Sequence, residues 1–111
     1  MNIETKVVDG TTVFAISADV SFENKTAMAT AINVAVASAS TSKFLVDISQ
    51  VRHVNSNLLY TLLAINKSVV SRQGRFGIIA SEFEPREVLL LAGLNRLFPI
   101  FDNEEQAIKS V

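Results

Sequence analysis

Two short apolar runs, each preceded by a long helix-forming segment, constrain the fold of this chain more than any other feature. Residues 44–48 and 76–80 are apolar almost throughout, as strands buried on both faces of a parallel sheet are. Residues 22–38 and 56–72, which precede these runs, are rich in alanine or leucine, and both residues favour helices. Strands that alternate with helices in this way indicate a largely parallel sheet with helices packed against it.

The start of the chain has a different pattern, which predicts an antiparallel pair of strands. Residues 3–7 alternate between apolar and polar side chains, and residues 12–17 are apolar over a nearly continuous run. Between them stands Asp9-Gly10, a dipeptide that favours a tight hairpin turn. We therefore expect the first two strands to form an antiparallel edge of the sheet.

The C-terminal third adds two helices and one strand to the predicted order. Pro85 suits the first turn of a third helix, and Gly93 ends that helix. Residues 98–101 form a short extended segment, and a terminal helix covers residues 103–109. The order β-β-α-β-α-β-α-β-α predicts a single α/β domain over residues 1–111, with a mixed, mostly parallel sheet and about four packed helices.

Helical spacing predicts which side of each helix packs against the sheet. The apolar positions are Met28, Ala31, Ile32 and Ala35 in the first helix, Leu59, Leu62, Leu63, Asn66 and Val70 in the second, and Val88, Leu89, Leu91 and Ala92 in the third. Ser21 and Asp102 are placed to cap the first and last helices by accepting a hydrogen bond from a free N–H. Gln73-Gly74 ends the second helix.

Composition excludes several classes of function. The net charge is −1 and the basic residues are scattered, so the chain lacks the basic surface typical of proteins that bind nucleic acid or anionic membranes. It has no cysteine and one histidine, which argues against disulfides, thiol chemistry and a metal site. We see no signal sequence and no apolar run of the ~20 residues needed to insert into a bilayer, so we expect a cytoplasmic protein.

Enzymatic chemistry is not expected either. A catalytic triad would need His53, Ser56 and an acid such as Asp47, and the short spacing of the first two near a helix start does not assemble that geometry. Residues 74–77 lack the spacing and the Lys-Ser/Thr pair of a phosphate-binding loop. We therefore predict no cofactor, a solvated His53, and a structural Asp47 that accepts hydrogen bonds from loop N–H groups.

Three longer stretches share one further pattern. They are residues 44–51 with Asn55-Ser56-Asn57-Leu58-Leu59, residues 72–79, and residues 91–102, in which Gly93-Leu94-Asn95-Arg96-Leu97-Phe98 stands. Together they resemble the STAS domain family of the anti-sigma factor antagonist type. The third stretch is the most specific, and the resemblance covers nearly the whole chain.

The resemblance implies the STAS fold and a protein-binding switch. In that family a serine at the start of a helix is phosphorylated by an anti-sigma factor with serine kinase activity. The unphosphorylated form binds this partner and frees the sigma factor, and a phosphatase resets the switch. Ser56 is the matching residue here; the alternative is that Ser56 only caps its helix. The partner-binding surface implied around it comprises Ser21, His53, Asn55, Ser56, Asn57 and Leu58.

Three positions depart from the family pattern. The family's Asp beside the serine is Asn55, its Gly is Leu58, and the Asp of its turn after the second strand is Ser21. Two of these changes replace an acidic group with a neutral one, and Leu58 either adds an exposed apolar side chain to the docking surface or is buried. Together they predict a divergent member with altered partner chemistry. The competing hypothesis is a non-switching interaction module, such as the cytoplasmic subunit of a lipid ABC transporter or a stress-signalling scaffold.

Residues 98–101 are unusually apolar for a segment near the chain end. We interpret them as a sheet edge that closes over the core. The alternative is an exposed edge that joins two copies of the chain in a homodimer.

Overall fold

The protein has the predicted alternation of strands and helices. The computed structural model describes residues 2–111. Its elements are β1 (Ile3–Val8), β2 (Thr11–Ile16), α1 (Lys25–Ser38), β3 (Lys43–Asp47), α2 (Ser56–Ser71), β4 (Arg75–Ile79), α3 (Phe83–Leu91), β5 (Ile100–Phe101) and α4 (Glu104–Ser110). A turn of 3-10 helix, Leu94–Arg96, precedes β5. The order β-β-α-β-α-β-α-β-α is thereby confirmed.

The five strands form one sheet in the order β1-β2-β3-β4-β5. β1 and β2 are antiparallel, and each later pair is parallel, so the predicted mixed, mostly parallel sheet is confirmed. Asp9 and Gly10 both have positive φ, 49° and 77°, as a two-residue hairpin turn that matches the strand twist requires. The hairpin signal in the sequence was therefore correct.

The helices cover the two faces of the sheet unequally. Phe14, Phe44 and Val46 belong to the main core cluster, which also contains buried side chains of α1, α2 and α3. On the opposite face a smaller cluster is formed by Val13, Leu45, Ile79, Ala107 and Val111, and α4 supplies its Ala107. Strand residues alternate between these two clusters because successive side chains point to opposite faces.

The predicted helix faces are only partly correct. In α2 the buried positions are Leu58, Thr61, Leu62, Ile65 and Val69. Leu63 and Val70 are exposed, so the predicted face of α2 is wrong at those positions. The buried face is rotated about the helix axis towards Leu58. In α3 only Pro85 and Leu89 are buried, and the predicted core positions Val88 and Leu91 face solvent. In α1 Met28 and Ile32 are buried and Ala35 packs half-buried against the core, as predicted. Ala29 and Val36 complete the face, and Ala31 is exposed.

Two helix ends differ in detail from the sequence prediction. Asn103, rather than Asp102, caps α4, because its side-chain oxygen accepts a hydrogen bond from the N–H of Gln106 at 2.8 Å. At the end of α2 the residue with positive φ is Gln73 (62°), not Gly74. Gly74 serves close approach instead, since a Cβ there would lie 2.9 Å from the carbonyl oxygen of Ser42.

We expect Gly74→Ala to lower the free energy of unfolding by about 1–2 kcal/mol, because the methyl group would press on main-chain atoms that cannot move aside. Urea denaturation would measure this loss. Gln73→Gly is the matched control, and it should not destabilise the protein because glycine relieves the left-handed strain at that position. A Gly74→Ala variant as stable as the wild type would contradict this, because it would show that the neighbouring main chain makes room for the methyl group.

Candidate partner-binding site

The loop between β3 and α2 is held in place by Asp19, which follows β2. One carboxylate oxygen of Asp19 accepts hydrogen bonds from the N–H of Arg52 at 2.8 Å and the N–H of His53 at 3.2 Å. Because β2 and β3 are parallel, the segment after β2 and the loop after β3 both lie at the C-terminal ends of the strands. The carboxylate therefore joins two segments that are distant in sequence into one surface.

Asn55 is the N-cap of α2 and also ties this helix to the loop after β2. Its side-chain oxygen accepts a hydrogen bond from the N–H of Leu58 at 2.9 Å. Its amide nitrogen donates to the carbonyl oxygen of Val20 at 3.0 Å. Both ends of the amide are thus used, which explains why an asparagine, with one acceptor and one donor, suits this position better than the acceptor-only aspartate of the family pattern.

Ser56 is the first residue of α2 and lies on the surface. The alternative that Ser56 only caps the helix is wrong, because Asn55 occupies the capping position. Among the residues that the structure describes, no side-chain hydrogen bond involves the Ser56 hydroxyl. The hydroxyl is therefore free to react or to bind, and it stands at the positive end of the α2 dipole.

Ser21 and Asn57 lie beside this helix start and are half-buried. Ser21 and Asn24 bond reciprocally: the Ser21 hydroxyl oxygen accepts from the Asn24 N–H at 3.2 Å, and the Ser21 N–H donates to the Asn24 side chain at 2.7 Å. The Ser21 hydroxyl thus caps the turn that precedes α1, whereas the N-cap residue of α1 itself is Asn24, so the prediction that Ser21 caps the first helix is wrong in position. The main-chain carbonyl of Asn57 accepts a hydrogen bond from the Thr61 hydroxyl within α2.

His53 is exposed on the loop, as predicted. Its Nε2 atom lies 4.0 Å from a carboxylate oxygen of Asp19, and 77% of its side chain is exposed. Asp47 has the predicted structural role, since its side chain accepts a hydrogen bond from the N–H of Ser49 at 2.8 Å. Within residues 2–111 no hydrogen bond joins Asp47, His53 and Ser56, and no cluster of metal-binding side chains is present.

Leu58 does not belong to the partner-binding surface. Its side chain is completely buried in the main core cluster, so the prediction that it contacts a partner is wrong. The reason is the rotation of α2: the Asn55 cap fixes the first turn so that the third helical residue points at the sheet. The surface implied by the sequence is thereby reduced to Ser21, His53, Asn55, Ser56 and Asn57.

Three further residues extend this surface, and we call them the aromatic–lysine cluster: Phe22, Lys25 and Tyr60. The ammonium nitrogen of Lys25 lies 5.2 Å from the ring centre of Phe22 and 4.7 Å from that of Tyr60, within cation–π range. Phe22 is 75% exposed and Tyr60 50% exposed. Tyr60 stands one helical turn after Ser56 and on the same face of α2. Sequence analysis missed this cluster because its members come from two separate helix starts.

A family profile identifies the chain. The STAS domain profile matches residues 2–107. The chain belongs to the STAS domain family. Comparison with curated protein sequences gives no match.

Solved structures show the same STAS fold. An anti-sigma factor antagonist from Mycobacterium paratuberculosis has 27% sequence identity and a TM-score of 0.86, over 98% of this chain and 92% of that one. A putative anti-sigma factor antagonist from Thermotoga maritima has 24% identity and a TM-score of 0.86, over 98% and 93% of the two chains. The Bacillus cell fate determinant SpoIIAA in its phosphorylated form has 16% identity and a TM-score of 0.70, over 96% of each chain. The predicted STAS fold is therefore confirmed.

Among the described residues, no helix combines the length and the apolar character needed to cross a bilayer.

Proposed function

We propose that this STAS domain is a regulator of the anti-sigma factor antagonist type, which binds an anti-sigma factor with serine kinase activity and is switched by phosphorylation of Ser56. The observation that carries the proposal is the free, exposed hydroxyl of Ser56 at the first position of α2. Of the similar structures described above, one is named as an anti-sigma factor antagonist and one as a putative one, and the third is the cell fate determinant SpoIIAA in its phosphorylated form.

The position of Ser56 suits reversible phosphorylation. A phosphate there would lie at the free N–H groups and the positive dipole end of α2, so its own helix would tolerate it. It would add about −1.5 to −2 charges at pH 7 to a surface that a partner has to cover. The partner would then lose affinity without any refolding of the STAS domain.

The neighbouring side chains supply the material for a protein interface. Phe22 and Tyr60 are exposed aromatic residues, a type that contributes strongly to binding energy at protein interfaces. Lys25 between them gives this surface a positive charge, and the exposed His53 on the loop adds a hydrogen-bonding group beside the Asp19 carboxylate. A partner with acidic or acceptor groups opposite the α2 start fits this chemistry.

A non-switching STAS module, such as a cytoplasmic transporter subunit or a stress-signalling scaffold, is the second candidate. Asn55 favours it, because this amide removes the acidic neighbour of the serine and is engaged in two structural hydrogen bonds. In that case the same surface would bind a partner constitutively, and the state of Ser56 would not matter.

Affinity purification from the native cell separates the two functions. The wild type, Ser56→Ala and Ser56→Asp would be compared, with mass spectrometry of bound proteins and of Ser56. We expect a kinase-like partner with wild type and Ser56→Ala, at least a tenfold loss with Ser56→Asp, and phosphate on Ser56.

Ser40→Asp is the matched control, because Ser40 is exposed in the loop before β3. This loop lies at the N-terminal ends of the strands, away from Ser56. It should bind the partner as the wild type does. Equal recovery of the same partners with all variants, together with no phosphate on Ser56, would contradict switching and leave the constitutive module.

A further inference from the structure

The free edge of β1 carries a pattern of charges that is complementary to itself. β1 is the outermost strand of the sheet, so one side of its main chain has no strand neighbour among the described residues. Glu4 and Lys6 stand two positions apart on this strand, on either side of Thr5. Lys6 contacts Glu104 of α4 at 2.9 Å, whereas no ion pair within the described residues involves Glu4.

The hydrogen-bonding direction of each β1 residue follows from its register with β2. The main-chain oxygen of Asn2 accepts a hydrogen bond from the N–H of Ser17, so Asn2 is directed at β2. In an antiparallel ladder the direction of the main-chain N–H and C=O groups alternates from one residue to the next. The groups of Ile3, Thr5 and Val7 therefore point to the free edge. A second strand can add there without disturbing the β1–β2 pair.

We propose that two copies of this chain join through β1 in a two-fold antiparallel pair centred on Thr5, which makes one continuous sheet from both copies. In this register Thr5 faces Thr5 of the second copy through a pair of main-chain hydrogen bonds. Glu4 of each copy then stands opposite Lys6 of the other. The inference is independent of the proposed function. It concerns the outer side of β1, whereas the candidate partner-binding site lies at the C-terminal ends of the strands.

Charge selects this register over its neighbours. A two-fold pair centred on residue 4 would set the two Glu4 carboxylates against each other, and one centred on Lys6 would do the same with two ammonium groups. Like charges directly opposite on neighbouring strands are destabilising, whereas opposite charges stabilise the pair by about 0.2–1 kcal/mol each. Charged side chains on an edge strand generally oppose pairing, but in this register each charge of β1 meets one of opposite sign, so that repulsion is absent.

Apolar groups beside the edge fit the same arrangement. Val7 is 64% exposed in the single chain, and in the proposed register it faces Ile3 of the second copy. Ile3 lies at an open groove of about 210 Å³ between β1 and α1, lined also by Phe14, Ala31 and Ala35. The small alanine side chains leave room there for the valine of the other copy. The strand pair alone gives a small interface, so the dimer should be weak and should dissociate on dilution.

Sedimentation of the purified chain from about 1 µM to 1 mM tests the proposal. We expect the average mass to rise towards twice the chain mass with concentration. Glu4→Lys and Lys6→Glu should each weaken dimerisation about tenfold or more, because each change creates two like-charge pairs. An equimolar mixture of these two variants should form a heterodimer again, since all cross-strand pairs then have opposite sign.

Lys109→Glu is the matched control for charge, because it makes the same change and also removes an ion pair of α4, with Glu105, away from β1. It should dimerise as the wild type does. Thr5→Pro removes an outward N–H that is free in the single chain, and it should abolish the dimer. A wild-type chain that stays monomeric throughout, or single variants that dimerise normally, would overturn the proposal. So would a mixture that shows no heterodimer, and this test remains decisive even where Thr5→Pro fails to fold.

Discussion

Leu58→Ala is expected to lower the free energy of unfolding by about 3–5 kcal/mol, the range for a leucine removed from a rigid core. The Leu58 side chain is completely buried between α2 and the sheet, among residues of the main core cluster. Its removal would leave a cavity that the Asn55 cap prevents α2 from closing by rotation. Urea denaturation followed by circular dichroism would measure the change, with the m-value unchanged if the unfolded state is the same.

Leu63→Ala provides the comparison within the same helix, because Leu63 is 41% exposed and undergoes the same chemical change. We expect it to cost less than about 1 kcal/mol. Similar losses for both variants would contradict the observed orientation of α2. A glycine at position 58, as in the family pattern, would lose the same packing and about 1 kcal/mol more of helix stability. The departure from that pattern is thus a core substitution and not a change of the partner surface.

Asn55→Ala is expected to cost about 2–3 kcal/mol, because it removes the α2 cap and leaves the Val20 carbonyl without its donor. Asn55→Asp keeps the cap but places a carboxylate oxygen against that carbonyl, so it should cost about 1–2 kcal/mol despite restoring the family residue. Both values would come from denaturant unfolding. An aspartate variant as stable as the wild type would show that the bond to Val20 makes no net contribution.

Asn103→Ala is the control for capping alone. Asn103 caps α4 through the N–H of Gln106, and within residues 2–111 its amide nitrogen reaches only the neighbouring Asp102. Its loss should cost about 1 kcal/mol. The difference between the two alanine variants then measures the tie from Asn55 to the loop after β2.

The strands and the order of strands and helices along the chain could be predicted because their signals are local. The continuous apolar runs, the alternation in β1 and the Asp9-Gly10 turn each depend on adjacent residues. The buried faces of the helices could not be predicted as well, since α2 carries apolar residues on neighbouring stripes that include Leu58 and Leu59. Periodicity alone does not distinguish these stripes, and the cap that sets the rotation acts through tertiary contacts.

The candidate site was predictable at Ser56 and less so around it. A motif in the sequence marks Ser56 and its neighbours, and the structure places Ser56 on the surface at a helix start. Asp19 had no such signal, because its partners are main-chain N–H groups, which every residue other than proline carries. The same holds for the aromatic–lysine cluster, whose side chains meet only after α1 and α2 have packed together.

The bonds from Asp19 to the loop before α2 also bear on the order of folding. They connect positions 33 and 34 residues apart, and the parallel pairing of β2 with β3 has to bring those positions together first. Closing a loop of that length costs conformational entropy before any contact compensates for it. A nascent or partly unfolded chain therefore has no assembled site, and recognition of Ser56 would act as a check that the domain has completed its fold.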